Sequence, residues 1–174
     1  MNIRKIALTI YAAAVLALFS SPAMTFESYV LSQHGDWTVK LEVTDLDEML
    51  CVAVTKNNVG ETLDIRLHAT GRISVYFWFD NSETRYPNQE VKIDVQDIGV
   101  WTVPEPEMFA NGWFFKFKGM TQSMEFALDL QKGRAVSITR PFANRSSGRF
   151  SLRGSRDAID ALYNCLPMIT GVAS

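Results

Sequence analysis

Between Trp37 and Phe79 the side chains change from apolar to polar at nearly every second residue, and turn-forming residues break that rhythm at short intervals. In "GDWTVKLEV", Trp37, Val39, Leu41 and Val43 alternate with Thr38, Lys40 and Glu42. A period of two marks a strand with one face buried. "LCVAVTK" reads as the next strand, with Cys51 near its start, and "NNVGE" as a turn by its Asn and Gly content. In "LDIRLHA", Leu63, Ile65 and Leu67 share one face and Asp64, Arg66 and His68 the other. "ISVYFWF" is apolar on both faces and suits a central strand. Four such strands joined by short turns predict an antiparallel meander.

The pattern is less regular further on. Residues 80–90 are polar, hold a proline and read as a loop. "VKIDV" is a fifth strand, and "GVWTV" a sixth or an extension of it. Pro104 and Pro106 interrupt the ladder, because two prolines cannot both serve a central strand. "WFFKFKG" is a further strand or the approach to a helix. The stretch 121–140 admits two readings. Met124, Phe126, Leu128 and Leu130 alternate like a strand. A helix over 121–131 is favoured, with Thr121 or Ser123 as cap, Met124, Ala127 and Leu128 on one face and Gly133 at the end. A strand over 134–140 then follows. "PFANRSSG" reads as a loop and "RFSLRG" as a last short strand. Ser155 is the expected cap of a second helix that packs through Ala158, Ile159 and Leu162. Pro167 is expected to stop it and "MITGVAS" to fray. The sum is an α+β fold: a mostly antiparallel β-sheet or sandwich with two short helices and one disulfide.

The amino terminus constrains location rather than fold. Arg4 and Lys5 precede the uncharged run Ile6–Phe19, and Ser21-Pro22-Ala23 offers small residues for cleavage. This is the layout of a secretory signal peptide over 1–23, leaving 24–174 as a single β-rich exported domain, periplasmic or secreted. No later run is long and apolar enough for a transmembrane segment after signal removal. In an oxidising compartment the two cysteines, Cys51 and Cys165, are expected to pair, with two free thiols as the alternative. Closing so long a loop constrains the unfolded chain by roughly 4–5 kcal/mol in the chain-entropy model. A catalytic redox pair is disfavoured by the absence of a CxxC spacing.

A strand tryptophan (Trp37), a cysteine shortly after it (Cys51) and the C-terminal segment "FSLRGSRDAIDALYNC" form the most specific pattern in the chain. This pattern resembles a group of small exported proteins of Gram-negative bacteria. More remotely it is similar to the invasion-associated locus B proteins and to a periplasmic accessory protein of type VI secretion. The resemblance implies a β-rich exported domain with no assigned catalysis, and it brings no functional residues with it.

Three groups of residues are candidates for function. Lys132, Arg134, Arg140, Arg145, Arg149, Arg153 and Arg156 follow one another with no Asp or Glu among them. Clustered in space they would form a basic surface for an anionic partner: a lipid head group, a polysaccharide or a protein. Spread out, they are solvated charges balanced by acids elsewhere, among them Glu42, Asp45 and Asp47. The formal net charge of −2, made more negative by loss of Arg4 and Lys5, argues against nucleic acid. Tyr76, Trp78, Trp101 and Trp113 lead a set of aromatics that suits either the core or an apolar ligand pocket. The Gly154-Ser155 step can attract an anion at a helix start, but a turn and a cap explain it without one.

Catalytic signals are weak. His34 and His68 are the only histidines, and GxSxG, HExxH and DxDxDG motifs are absent. No catalytic residue, metal site or cofactor is assigned. The leading reading is a non-enzymatic periplasmic or secreted cell-envelope interaction or accessory protein with a basic C-terminal face. The alternative is a small-molecule binding module built on the aromatic cluster. A hydrolase-like enzyme ranks third.

Overall fold

The alternating segments form two antiparallel sheets. The computed structural model describes residues 27–44, 46–79, 90–109, 111–140, 145–146 and 148–171. The leader expected over 1–23 lies outside them. The first sheet contains β1 (Glu27–His34), β2 (Trp37–Val43), β3 (Met49–Lys56), β4 (Thr62–Leu67), β5 (Ile73–Trp78), β8 (Glu107–Phe109) and β9 (Gly112–Lys116). Its order is β1-β2-β3-β4-β5-β9-β8, so β2 to β5 form the expected meander. The second sheet contains β6 (Val91–Val95), β7 (Gly99–Val103), β10 (Ala135–Arg140) and β11 (Arg145–Ser146), in the order β11-β10-β6-β7. The short β12 (Phe150–Ser151) also pairs with β10. "GVWTV" is therefore a separate strand, returning antiparallel on β6.

Burial follows the pleat. Trp37 and Val39, Cys51 and Ala53, Leu63, Ile65 and Leu67, and Ile73, Val75 and Phe77 all turn inward from the first sheet. They share one apolar core with Val91, Ile93 and Val95 of β6 and Val136 and Ile138 of β10. Fully burying one such side chain stabilises the fold by about 1.5–3 kcal/mol.

Helix α1 (Met120–Lys132) answers the ambiguity at 121–131, and β10 the strand expected at 134–140. Its buried face is Ser123, Phe126, Ala127 and Leu130. Met124 and Leu128, expected to pack, are 51% and 45% exposed. Gly119 occupies the N-cap position with no side-chain cap, so neither Thr121 nor Ser123 caps the helix. Instead the Ser123 hydroxyl accepts from the backbone N–H of Ile73. Gly133 ends the helix as expected, donating its N–H to Asp129 O at 2.9 Å.

Ahead of Trp37, the edge strand β1 runs back along β2. Three further expectations are corrected. Pro167 does not end helical structure: α2 (Ser155–Asn164) stops first, and α3 (Leu166–Thr170) carries Pro167 in its first turn, where a missing N–H costs nothing. Ile169 of α3 is buried, so "MIT" is docked rather than frayed. Ser155 is not the N-cap of α2; that position belongs to Gly154, at φ 87°.

Candidate binding surfaces

The disulfide and the turn before α2 position the C-terminal segment. Cys51 on the inner face of β3 is bonded to Cys165, at a Cα–Cα distance of 6.1 Å. At the other end of α2, Gly154 abuts Gly35 of the β1–β2 turn. A Cβ on Gly154 would lie 2.2 Å from His34 O, and one on Gly35 would lie 2.4 Å from Arg153 O. The contact is fastened by the Asp36 N–H donating to Arg153 O at 3.0 Å and by the Trp37 indole donating to Ser151 O at 3.2 Å. Arg153 also donates to both Asp36 carboxylate oxygens, Nε at 3.3 Å and Nη2 at 2.5 Å. These hydrogen bonds hold the Asp36 carboxyl below its ordinary range.

The seven basic residues are distributed along this path and do not all remain free. Arg134 pairs with Asp97 at 2.8 Å, and Arg153 with Asp36. Arg149 donates to the Gln96 amide, which does not cancel its charge. Lys132 and Arg156 are exposed. The side chains of Arg140 and Arg145 lie outside the described structure. The partners are Asp97 and Asp36, not the Asp47 or Glu42 expected to balance the segment; Glu42 lies 3.8 Å from Arg66.

Arg149 instead joins two lysines from elsewhere in the sequence. A groove of about 560 Å³ is lined by Lys40, Lys56 and Arg149 together with Thr38, Asn57, Ser151 and Asp36. Lys40 and Thr38 lie on the outward face of β2, and Lys56 ends β3. Among the described residues neither lysine has an ion-pair partner, while Asp36 is already engaged by Arg153. The groove is therefore net cationic. Lys40 and Lys56 were visible in sequence only as alternating polar positions, and no local signal ties them to Arg149.

The four aromatics divide among three places. Trp113 is in the core, without exposure. Trp101, on β7, borders a cleft of about 450 Å³ together with Val103, Phe115 and Phe117. Its indole donates to Asp129 of α1 at 2.9 Å. Tyr76 and Trp78 stand on the outward face of the first sheet. There Tyr76 stacks on Phe114 with centroids 4.8 Å apart, and Arg66 lies 4.1 Å over the Tyr76 ring. The rings on this face already cover one another.

Beside them is a buried carboxylate. Asp64 receives the Trp78 indole at 2.9 Å and Arg66 at 3.3 Å, both on Oδ2. Its Oδ1 has no hydrogen-bond partner among the described residues. Burial raises its pKa and outweighs Arg66, which pulls the other way. His68 and Ser74 are within hydrogen-bond reach, Nε2 to Oγ at 2.8 Å. Burial and the nearby Lys116 hold His68 below its ordinary range, so it is neutral at pH 7. A neutral histidine on a serine has the ingredients of a nucleophile, but Ser74 is wholly buried, and its hydroxyl cannot meet a substrate in this arrangement. His34 contacts Ser32 at 2.9 Å. Among the described residues no three His, Cys, Asp or Glu side chains are grouped to hold a metal ion.

No protein-family model and no curated sequence matches the chain. The fold is similar to the crystal structure of invasion associated protein B from Bartonella henselae, with a TM-score of 0.52 and 14% identity, over 76% of this chain and 95% of that one. At that identity the likeness is one of fold, and it agrees with the architecture the locus B resemblance implies.

Proposed function

We propose that this chain is an exported, non-enzymatic interaction protein of the cell envelope that holds an anionic partner in the groove between Lys40, Lys56 and Arg149. The observation that carries this reading is the convergence of three cations from β2, β3 and the segment before β12 on one groove. Hydroxyl and amide groups from Thr38, Asn57, Asn58 and Ser151 line the same groove and supply the neutral hydrogen bonds that phosphate, sulfate or carboxylate groups accept. The contiguous stripe of seven basic residues is not required. Arg134 and Arg153 are already paired, and exposed pairs of that kind contribute little to stability.

The reading is tested by titrating the protein with vesicles containing anionic phospholipid and, separately, with an anionic polysaccharide. Binding to one of them should weaken as salt rises, because exposed charges are screened beyond about 8–10 Å at physiological ionic strength. It should also weaken in Lys56→Glu and Arg149→Glu. Binding that ignores both salt and these changes would rule the groove out.

A further inference from the structure

We propose that the free half of β9 accepts an extended peptide from a partner protein, one that alternates apolar and acidic residues, as an added antiparallel strand. This site is separate from the cationic groove. The strand β8 pairs only with Gly112, Trp113 and Phe114 of β9. Opposite Phe115 and Lys116 the preceding chain presents Pro106 and Glu105, and then Pro104. Proline has no N–H to give to a ladder, and the chain leaves the first sheet there for β7 of the second. Among the described residues, Phe115, Lys116 and the following Phe117 are thus left without a strand on that side. An unpaired strand edge is a template for another chain.

The space beside this edge fits a strand of one particular pattern. The cleft of about 450 Å³ lies between Trp101 and Val103 of β7 and Phe115 and Phe117. Residues of an added strand opposite Phe115 and Phe117 would point into this apolar gap and close it. The residue between them would stand outward opposite Lys116, the last residue of β9, with Lys118 nearby in the bend that follows; both lysines are exposed and without an ion pair among the described residues. Opposite charges directly across a ladder are favourable and like charges are not. Glu105 and Glu107 line the same cleft, which disfavours acidic groups on any other course. Charge and pleat together specify apolar–acidic alternation.

The test uses the full exported chain and a terminally blocked peptide of alternating Val and Glu, followed by calorimetry. The acidic peptide should bind, and its Val–Lys counterpart should bind more weakly by about three- to tenfold, the effect of exchanging attraction for repulsion across the ladder at Lys116 and near Lys118. Methylating alternate peptide nitrogens, on the side that faces β9, should abolish binding. Lys116→Glu with Lys118→Glu should reverse the preference between the two peptides. Lys56→Glu should leave it unchanged, which separates this site from the groove. Should the charge-reversed variant fail to fold, the methylated peptides decide on the wild type. Equal binding of methylated and parent peptides, or binding of decanoate without the acidic peptide, would overturn strand addition in favour of an apolar ligand site. No binding of the acidic peptide would overturn it as well.

Discussion

The hydroxyl of Ser155 donates to Leu130 O at 2.6 Å, deep between α2 and the end of α1. Its residue type and its place before a helix fit a cap equally well, so sequence cannot separate the two roles. Gly154 takes the N-cap position because its φ of 87° and its contact with His34 O leave no room for a side chain. Gly154→Ala should therefore lower the thermal midpoint and cost about 1–3 kcal/mol from backbone strain alone, with more from the clash. An unchanged midpoint would contradict the close approach of the two turns. His68 makes a second prediction. Burial lowers its folded pKa below the unfolded value of 6.5. The stability this supplies is complete above the unfolded value and is lost as pH falls through the folded one. The thermal midpoint should drop as the pH is lowered below about 6.5, and His68→Gln should flatten that part of the profile.

At the scale of elements, α2 is held at both ends by partners distant in the chain: the β1–β2 turn through Gly35 and Asp36, and β3 through Cys51. Its apolar residues Ala158, Ile159 and Leu162 are buried as the spacing predicts. Removing the disulfide, by reductant or by Cys51→Ala with Cys165→Ala, should destabilise the protein by about 2–5 kcal/mol. Amide exchange in α2 and α3 should rise first, ahead of exchange in β4 and β5. Helix α1 carries a different lesson. Its existence is legible from the closing Gly133, and of the expected face Ala127 is buried while Met124 and Leu128 are not. Phe126 and Leu130 pack while Met124 and Leu128 stay exposed. The helix and strand readings share only Met124 and Leu128, and the packing of α1 near Trp101 and Phe117 turns Phe126 inward instead.

Across the whole molecule, charge that is clustered in sequence is dispersed in space. Arg134 sits by the β6–β7 turn on Asp97, Arg153 by the β1–β2 turn on Asp36, and Arg149 by the groove with Lys40 and Lys56. Substituting Arg134 by Ala should accordingly leave anion binding unchanged, while the same change at Arg149 weakens it, measured at equal ionic strength. Equal losses at both positions would return the function to a diffuse basic surface.

The strand meander and the apolar face of α2 follow from local pattern: period two and helical spacing. Each depends on neighbours within a few residues, so the sequence alone expresses it, while the pairing of Cys51 with Cys165 follows from there being just two cysteines to join. The groove, the open half of β9 and the role of Gly154 depend on which segments meet across the fold. Lys56 lies far from Arg149 in the chain, and Gly35 far from Gly154, and no periodicity encodes either meeting. Pro104 and Pro106 show the division most clearly. Their missing N–H groups mark a break in any ladder, but that the break opens a cleft between two sheets was decided by where β7 and β9 pack.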